Sequence, residues 1–419
     1  MGPFSFTGQP NAMGGREVGG LANQLAAHMD IENAEHRDCV QSFWQSPHIP
    51  DKQGLKAVDL FEAIHEGSVK AVWIMATNPA VSLPDSHRVR KALEKCDCVI
   101  VSDCVSNTDT IHYADIKLPA LTWGARNGTV TNSDRTISRQ RPFVPAPGEA
   151  KPDWQIVTEV AHKMGYADSF PYQTSFDVFR EHAALSGYRN QGQRCFDISG
   201  LSELSAEQFD VLEPIQWPVD ASPFESSNGR FFTASRKARF IPVVPTLPAS
   251  ELSTEFPFTL NTGRVRDHWH TLTRTGVSAR LSQHSTSPTV ALNPEDAQAQ
   301  SIQEGDLVRV FNQLGELRLL ATTDSGLRQG DVFVPIHWTE QFAQHAVVSH
   351  VIPPVVDPFS GQPESKHAVV NVERLDTHWQ GFVISRRQIE LSGTSHWYCQ
   401  KVDQAWYYGF RGDQTSQDW

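Results

Sequence analysis

The stretch Ala71 to Asp103, AVWIMATNPAVSLPDSHRVRKALEKCDCVIVSD, decides the fold class. Its first run, Ala71-Val72-Trp73-Ile74-Met75-Ala76, is too short for a helix and predicts a strand buried on both faces. Asp85 is placed to cap a helix that carries Val89, Ala92 and Leu93. Cys98-Val99-Ile100-Val101 is a second buried run. Strand, helix and strand within this span make a βαβ unit, so the sheet is expected to be parallel. Upstream, Leu55, Val58, Phe61 and Ile64 recur at helical spacing and stop at Gly67. Downstream, Ile116-Lys117-Leu118-Pro119 offers a third strand.

Open α/β sheets bind ligands beyond the carboxyl ends of their strands. Here those ends carry Thr77-Asn78-Pro79 and Ser102-Asp103. The same residue types also favour plain turns, so both readings stand. Two common ligand motifs are excluded. No two glycines are two positions apart, which removes G-x-G-x-x-G, and Gly14-x-x-x-x-Gly19 is followed by Gly20 where a P-loop needs Lys.

The rest of the chain divides by pattern. Trp154, Val157, Ala161 and Met164 predict one helix, and Phe176, Phe179 and Ala183 another. From Arg189 to Phe256 periodicity fades, leaving an irregular connection with one short helix opened by the capping box Ser205-x-x-Gln208. The last third alternates at period two. Gly305–Phe311, Leu317–Leu320, Gly330–Val334 and Ala368–Val372 are short strands separated by glycine turns, which points to a β-barrel.

Composition bounds the function. The 419 residues carry 36 basic and 48 acidic side chains, a formal charge of −12 that argues against a general nucleic-acid binder. No apolar run approaches 18 residues, so no membrane helix is expected. Six cysteines without a C-x-x-C pair suit a reducing cytoplasm and supply no local four-cysteine metal site. Cys98 reads as a small core residue. In His268-Trp269-His270 both imidazoles share a face if the stretch is extended, with packing or hydrogen bonding the more economical role than metal ligation. The flanking Thr262-Gly263-Arg264 and Thr271 offer donors for phosphate oxygens, and the ammonium of Lys366 can hold an anion.

These pieces, taken in order, resemble the molybdopterin-guanine-dinucleotide oxidoreductases of the dimethyl sulfoxide reductase superfamily, and within them the C-terminal half of bacterial assimilatory nitrate reductases. The carriers are Gly2 to Gly19, Trp73 to Pro79, Ser102-Asp103, Tyr113-Ala114-Asp115 with Leu118-Pro119, Gly128-Thr129-x-x-Asn132, Pro147 to Ala150 with Asp153-Trp154, Gln216-Trp217-Pro218, Thr262 to Thr271, and Asp357-Pro358 to Lys366. The resemblance implies a fold of class α/β plus β. A partial Rossmann-like parallel-sheet domain (1–188) and an irregular connection (189–256) precede a double-psi-type dinucleotide-binding barrel (257–375) and an aromatic extension (376–419).

The same resemblance implies a bis-molybdopterin guanine dinucleotide cofactor with molybdenum. Asn78, Ser102, Asp103 and Asp153 are then expected at one dinucleotide, with Arg126 standing where related periplasmic enzymes carry a lysine. Thr262, Gly263, Arg264, His268, Trp269, His270 and Thr271 are expected along a pterin and its pyrophosphate, with Lys366 also on the cofactor. His337 and Trp338 are expected near a substrate funnel. The resemblance places the molybdenum-ligating cysteine and the cysteines of a [4Fe-4S] cluster in an N-terminal half that precedes this chain. No catalytic or metal-ligating residue is therefore expected here, and the chain alone is expected to be inactive. The implied partners are that half, nitrate, and an electron donor such as ferredoxin, flavodoxin or an NADH-linked subunit. The alternatives are a formate dehydrogenase-like enzyme or a non-catalytic dinucleotide-binding module.

Overall fold

The computed structural model describes residues 11–219, 231–242 and 244–413. The carriers Gly2 to Pro10, part of the irregular connection and the last six residues lie outside the described residues. The chain forms two compact units that do not follow its linear order. One is Met1–Leu55 with Leu118–Val244, the other Lys56–Lys117 with Pro245–Trp419.

The second unit begins with helix α1 (Ala57–His65), strand β1 (Ala71–Met75), helix α2 (Ser86–Lys95) and strand β2 (Cys98–Asp103). Gly67, at φ 81°, supplies the left-handed residue that ends α1, and its N–H donates to Ile64 O at 3.0 Å. The Asp85 side chain accepts from Arg88 N at 3.3 Å and caps α2 as the sequence predicted. β1 and β2 pair in parallel, with Ala71 opposite Cys98 and Met75 opposite Ser102. Ile116–Pro119 is the third strand, beside β2.

Two details differ from expectation. β1 is buried on one face only. Val72 and Ile74 are covered, whereas Ala71 and Met75 are exposed. The cause is that α1 and α2 share one core with these two residues and with Val99 and Val101, so that core takes up a single face of the strand. Cys98 alternates onto the less covered side and is only partly buried.

The remainder of this unit is a closed barrel of β3 (Phe258–Gly263), β4 (Thr289–Leu292), β5 (Leu307–Phe311), β6 (Glu316–Thr323), β7 (Asp331–Pro335) and β8 (Ala368–Arg374). The strand order is β4-β6-β5-β8-β3-β7, and β7 closes back on β4. Inward residues alternate with outward ones, as in β6, where Leu317, Leu319 and Ala321 are buried. β3 and β7 run parallel, Val334 opposite Thr262 and Pro335 opposite Gly263, so both strands finish at one end of the barrel. That register places the candidate site.

The aromatic tail, read as core packing against the barrel, is itself a sheet of β9 (Trp379–Ser385), β10 (His396–Val402) and β11 (Ala405–Gly412). Cys399, Trp406 and Tyr408 do enter the barrel core.

The first unit contains the predicted helices at Asp153–Lys163 and Ser175–Gly187, and the helix Ala206–Asp210 with its complete capping box. An antiparallel sheet of Gly128–Thr131, Thr136–Gln140 and Ile215–Gln216 completes it. Phe179, Phe196, Phe209 and Trp217 are in its core. Glu17 is buried there and accepts from Thr131 Oγ1 and Trp217 Nε1, both at 2.7 Å. Among the described residues no helix is long and apolar enough to cross a membrane.

Candidate cofactor site

The carboxyl ends of β1 and β2 are held by polar contacts rather than left as open turns. Asn78 follows β1 and is buried. Its Oδ1 accepts from Thr110 N at 3.1 Å and Thr110 Oγ1 at 2.7 Å, and its Nδ2 donates to Thr271 Oγ1 at 3.2 Å. Ser102, at the end of β2, accepts from Trp73 Nε1 at 2.8 Å. Asp103 turns the chain by accepting from Val105 N at 3.0 Å. From helix α2, Arg90 pairs with Glu340 at 2.5 Å, and in the loop after β2 Asp109 accepts from Gln341 at 3.2 Å. Sequence spacing gave no sign of Thr110, Arg90 or Asp109, because their bonds to Asn78, Glu340 and Gln341 each span more than thirty residues.

The second part of the site grows from the barrel end. Past β3 the chain leaves as Arg264 to Thr271, and past β7 as Ile336-His337-Trp338, with Ile336 N donating to Gly263 O at 2.9 Å. Gly263 is required by close approach, since a Cβ there would lie 2.9 Å from the Phe333 ring. Lys366 Nζ donates to Thr262 O and lies 3.7 Å from that same Cβ position. Burial lowers the Lys366 pKa, and Arg264 nearby lowers it further. His270 is lowered by burial and then by Arg264 and Arg274. Three cations therefore gather around the segment, a field suited to an anionic ligand.

Two buried polar atoms here have no protein partner: Thr262 Oγ1 and His268 Nδ1. His268 Nε2 faces Ser285 O at 2.7 Å, so that nitrogen carries the hydrogen and Nδ1 is left an open acceptor. Trp269 N donates to Thr275 Oγ1 at 3.1 Å, and the Trp269 ring meets His270 edge-on at 4.4 Å. The segment is not extended. Asp267 and His270 have φ of 69° and 42°, so the condition for both imidazoles to share a strand face is not met. Among the described residues no group of three or more His, Cys, Asp or Glu side chains is arranged to hold a metal.

His337 and Trp338, expected near a substrate funnel, follow β7 at the barrel end. Both are buried, Trp338 as part of the barrel core and His337 with both ring nitrogens bonded to backbone. Arg126 and Asp153 lie in the first unit, where Arg126 NH2 pairs with Asp153 Oδ2 at 2.7 Å and Arg126 Nε donates to Leu121 O at 2.8 Å. Asp153 Oδ1 has no partner. The other eleven cofactor-binding candidates, Asn78 through Lys366, all belong to the second unit.

Residues 5–163 match the family model described as Molybdopterin oxidoreductase, and residues 258–369 match the one described as Molydopterin dinucleotide binding domain. The chain belongs to the molybdopterin oxidoreductases. Within that family it is 49% identical over 418 residues to a nitrate reductase of Klebsiella oxytoca, covering 100% of this chain and 48% of that protein. It is 40% identical to a nitrate reductase of Shewanella frigidimarina, covering 96% of this chain and 45% of the relative. The chain thus spans about half the length of the curated relatives it matches. Acetylene hydratase from Pelobacter acetylenicus has a similar fold, with a TM-score of 0.60, 19% identity, and coverage of 75% of this chain and 46% of that one.

Proposed function

We propose that this chain is the C-terminal half of a molybdenum-dependent assimilatory nitrate reductase that reduces nitrate to nitrite by two electrons. The observation that carries the reading is the barrel end: Arg264, Arg274 and Lys366 surround a segment in which Thr262 Oγ1 and His268 Nδ1 are buried with no partner. Buried polar atoms in proteins are nearly always satisfied, and two without a partner beside three cations suit an anionic, hydrogen-bonding ligand. A pterin, with ring N–H donors, and a pyrophosphate, with anionic oxygens, supply what these atoms lack.

The residues present therefore fit a bis-molybdopterin guanine dinucleotide. Lys366 and Arg264 would hold its phosphates, with Thr262, Gly263, His268, Trp269, His270 and Thr271 along the pterin. Asn78, Ser102 and Asp103 would shape a nucleotide pocket at the sheet end of the second unit, and Arg126 and Asp153 are cofactor contacts proposed for the first unit by itself. When bound, the molybdenum group supplies the oxygen-atom and electron transfer. The protein's share is orientation and charge. His337 and Trp338 would border the substrate approach at the same barrel end.

On this reading the α/β portion (1–188) is the later part of a Rossmann-like domain, 257–375 is a double-psi-type barrel, and 189–256 and 376–419 are connection and extension. A [4Fe-4S] cluster and the molybdenum ligand belong to the other half of the polypeptide, and ferredoxin, flavodoxin or an NADH-linked subunit delivers electrons there. Six cysteines without a disulfide suit the cytoplasm. Co-producing this chain with the N-terminal half of a similar nitrate reductase tests the proposal. The expected product contains molybdenum and forms nitrite from nitrate. A fully metallated assembly that oxidises formate and leaves nitrate untouched would overturn it.

A further inference from the structure

We propose that His337 is the positioning residue for the Arg264–Thr271 segment, holding both ends of it through one fixed ring tautomer. The inference rests on reading that segment as the cofactor's phosphate and pterin contact. One imidazole bonds two backbone groups five residues apart: Nε2 accepts from Val265 N at 3.0 Å, and Nδ1 donates to His270 O at 2.7 Å. An amide can only donate and a carbonyl can only accept, so the ring is neutral with its hydrogen on Nδ1. The ring is fully buried. Burial holds its pKa down to about 4, in agreement with the tautomer.

The segment needs such a clasp. Asp267, His270 and Leu272 all have positive φ, at 69°, 42° and 63°, and none is glycine. Left-handed backbone at such residues persists only where the surroundings impose it. The register of β3 and β7 delivers the clasp: Pro335 opposite Gly263 sets His337 to leave the barrel beside the segment it bridges. Neither Arg264 nor Lys366 can set the spacing of the backbone amides, because both act at the near end.

The test uses the whole chain and three readings. In histidine-labelled wild type, nitrogen NMR is expected to show His337 neutral with the hydrogen on Nδ1 at pH 6 to 8; a hydrogen on Nε2 would overturn the proposal. In His337→Phe, hydrogen exchange of the amides from Val265 to Thr271 is expected to rise about tenfold, the scale of one lost hydrogen-bonded contact. Val310→Ala, a core truncation elsewhere in the barrel, is expected to lower stability without that local rise. Equal exchange in wild type and His337→Phe, or an equal rise in Val310→Ala, would overturn it. With guanosine diphosphate as probe, His337→Phe is expected to weaken binding about tenfold. If the probe ignores Arg264→Ala as well, the cofactor reading of the segment fails, while the NMR and exchange results still decide the role of His337.

Discussion

Asn78 Nδ2 donates to Thr271 Oγ1 at 3.2 Å, tying the loop after β1 to the segment after β3 across 193 residues of sequence. The same carboxamide accepts twice from Thr110. Asn78→Ala strands three buried groups at once, and each unmade buried bond costs about 1–3 kcal/mol. Urea unfolding is expected to show a loss of about 2–4 kcal/mol, summed from that range with partial relaxation. Asn78→Asp, which keeps the acceptors and loses the donor, is expected to fall between. A variant as stable as wild type would show that the network is not a joint.

Gly263→Ala brings a Cβ to within 2.9 Å of Phe333. Overpacking of this kind costs roughly 1–3 kcal/mol. Phe333→Leu added to Gly263→Ala is expected to recover part of the loss, and thermal unfolding of both variants checks it. If the double variant is no better than the single one, the steric account fails.

Burial holds four imidazoles low: His350 and His396 at about 3, His337 and His182 at about 4, against an ordinary 6.5. Unfolding lets them take up protons more readily, so below pH 6.5 the unfolded state binds more protons. Stability is therefore full above about pH 6.5 and falls as pH drops toward 3 to 4, each group contributing up to about 1.4 kcal/mol per pH unit. Urea midpoints between pH 7 and 5 should decline, and His396→Asn should make the decline shallower. A decline unchanged by that substitution removes His396 from the account.

Trp406 lies in the barrel core although it belongs to the C-terminal sheet. Trp406→Ala is expected to cost about 3–5 kcal/mol, as large-to-small core changes do. Circular dichroism melts would show it. A melt within a degree of wild type would mean the sheet is a separate appendage.

The α/β element was legible because its signals are local. Two apolar runs, the Asp85 cap and the Gly67 stop lie within forty residues. Four barrel strands were legible from alternation. β3 and β4 were not, since β3 is the Phe258–Gly263 run whose end was read as ligand chemistry and β4 is only four residues long. β9 to β11 were hidden because aromatic density masks a period-two pattern. At the site, Arg264 was visible as a charge beside Gly263 and Lys366 as an ammonium able to hold an anion. The stapling of His337, the Thr110 bonds and the Arg90–Glu340 pair were not, because they depend on which distant backbone groups meet.

The division of the chain also fixes the order in which it can be finished. Residues 56–117 belong with residues 245–419, and residues 118–244 are made in between. At roughly 5–20 residues per second, α1, β1, α2 and β2 wait about ten seconds on the ribosome before their barrel partners exist. During that time Asn78 can already hold Thr110, Ser102 the Trp73 indole, and the helix pair its own strands, so only the Asn78 bond to Thr271 waits for the barrel. All of this chain's share of the first unit exists once Val244 is made, while the second is still half built.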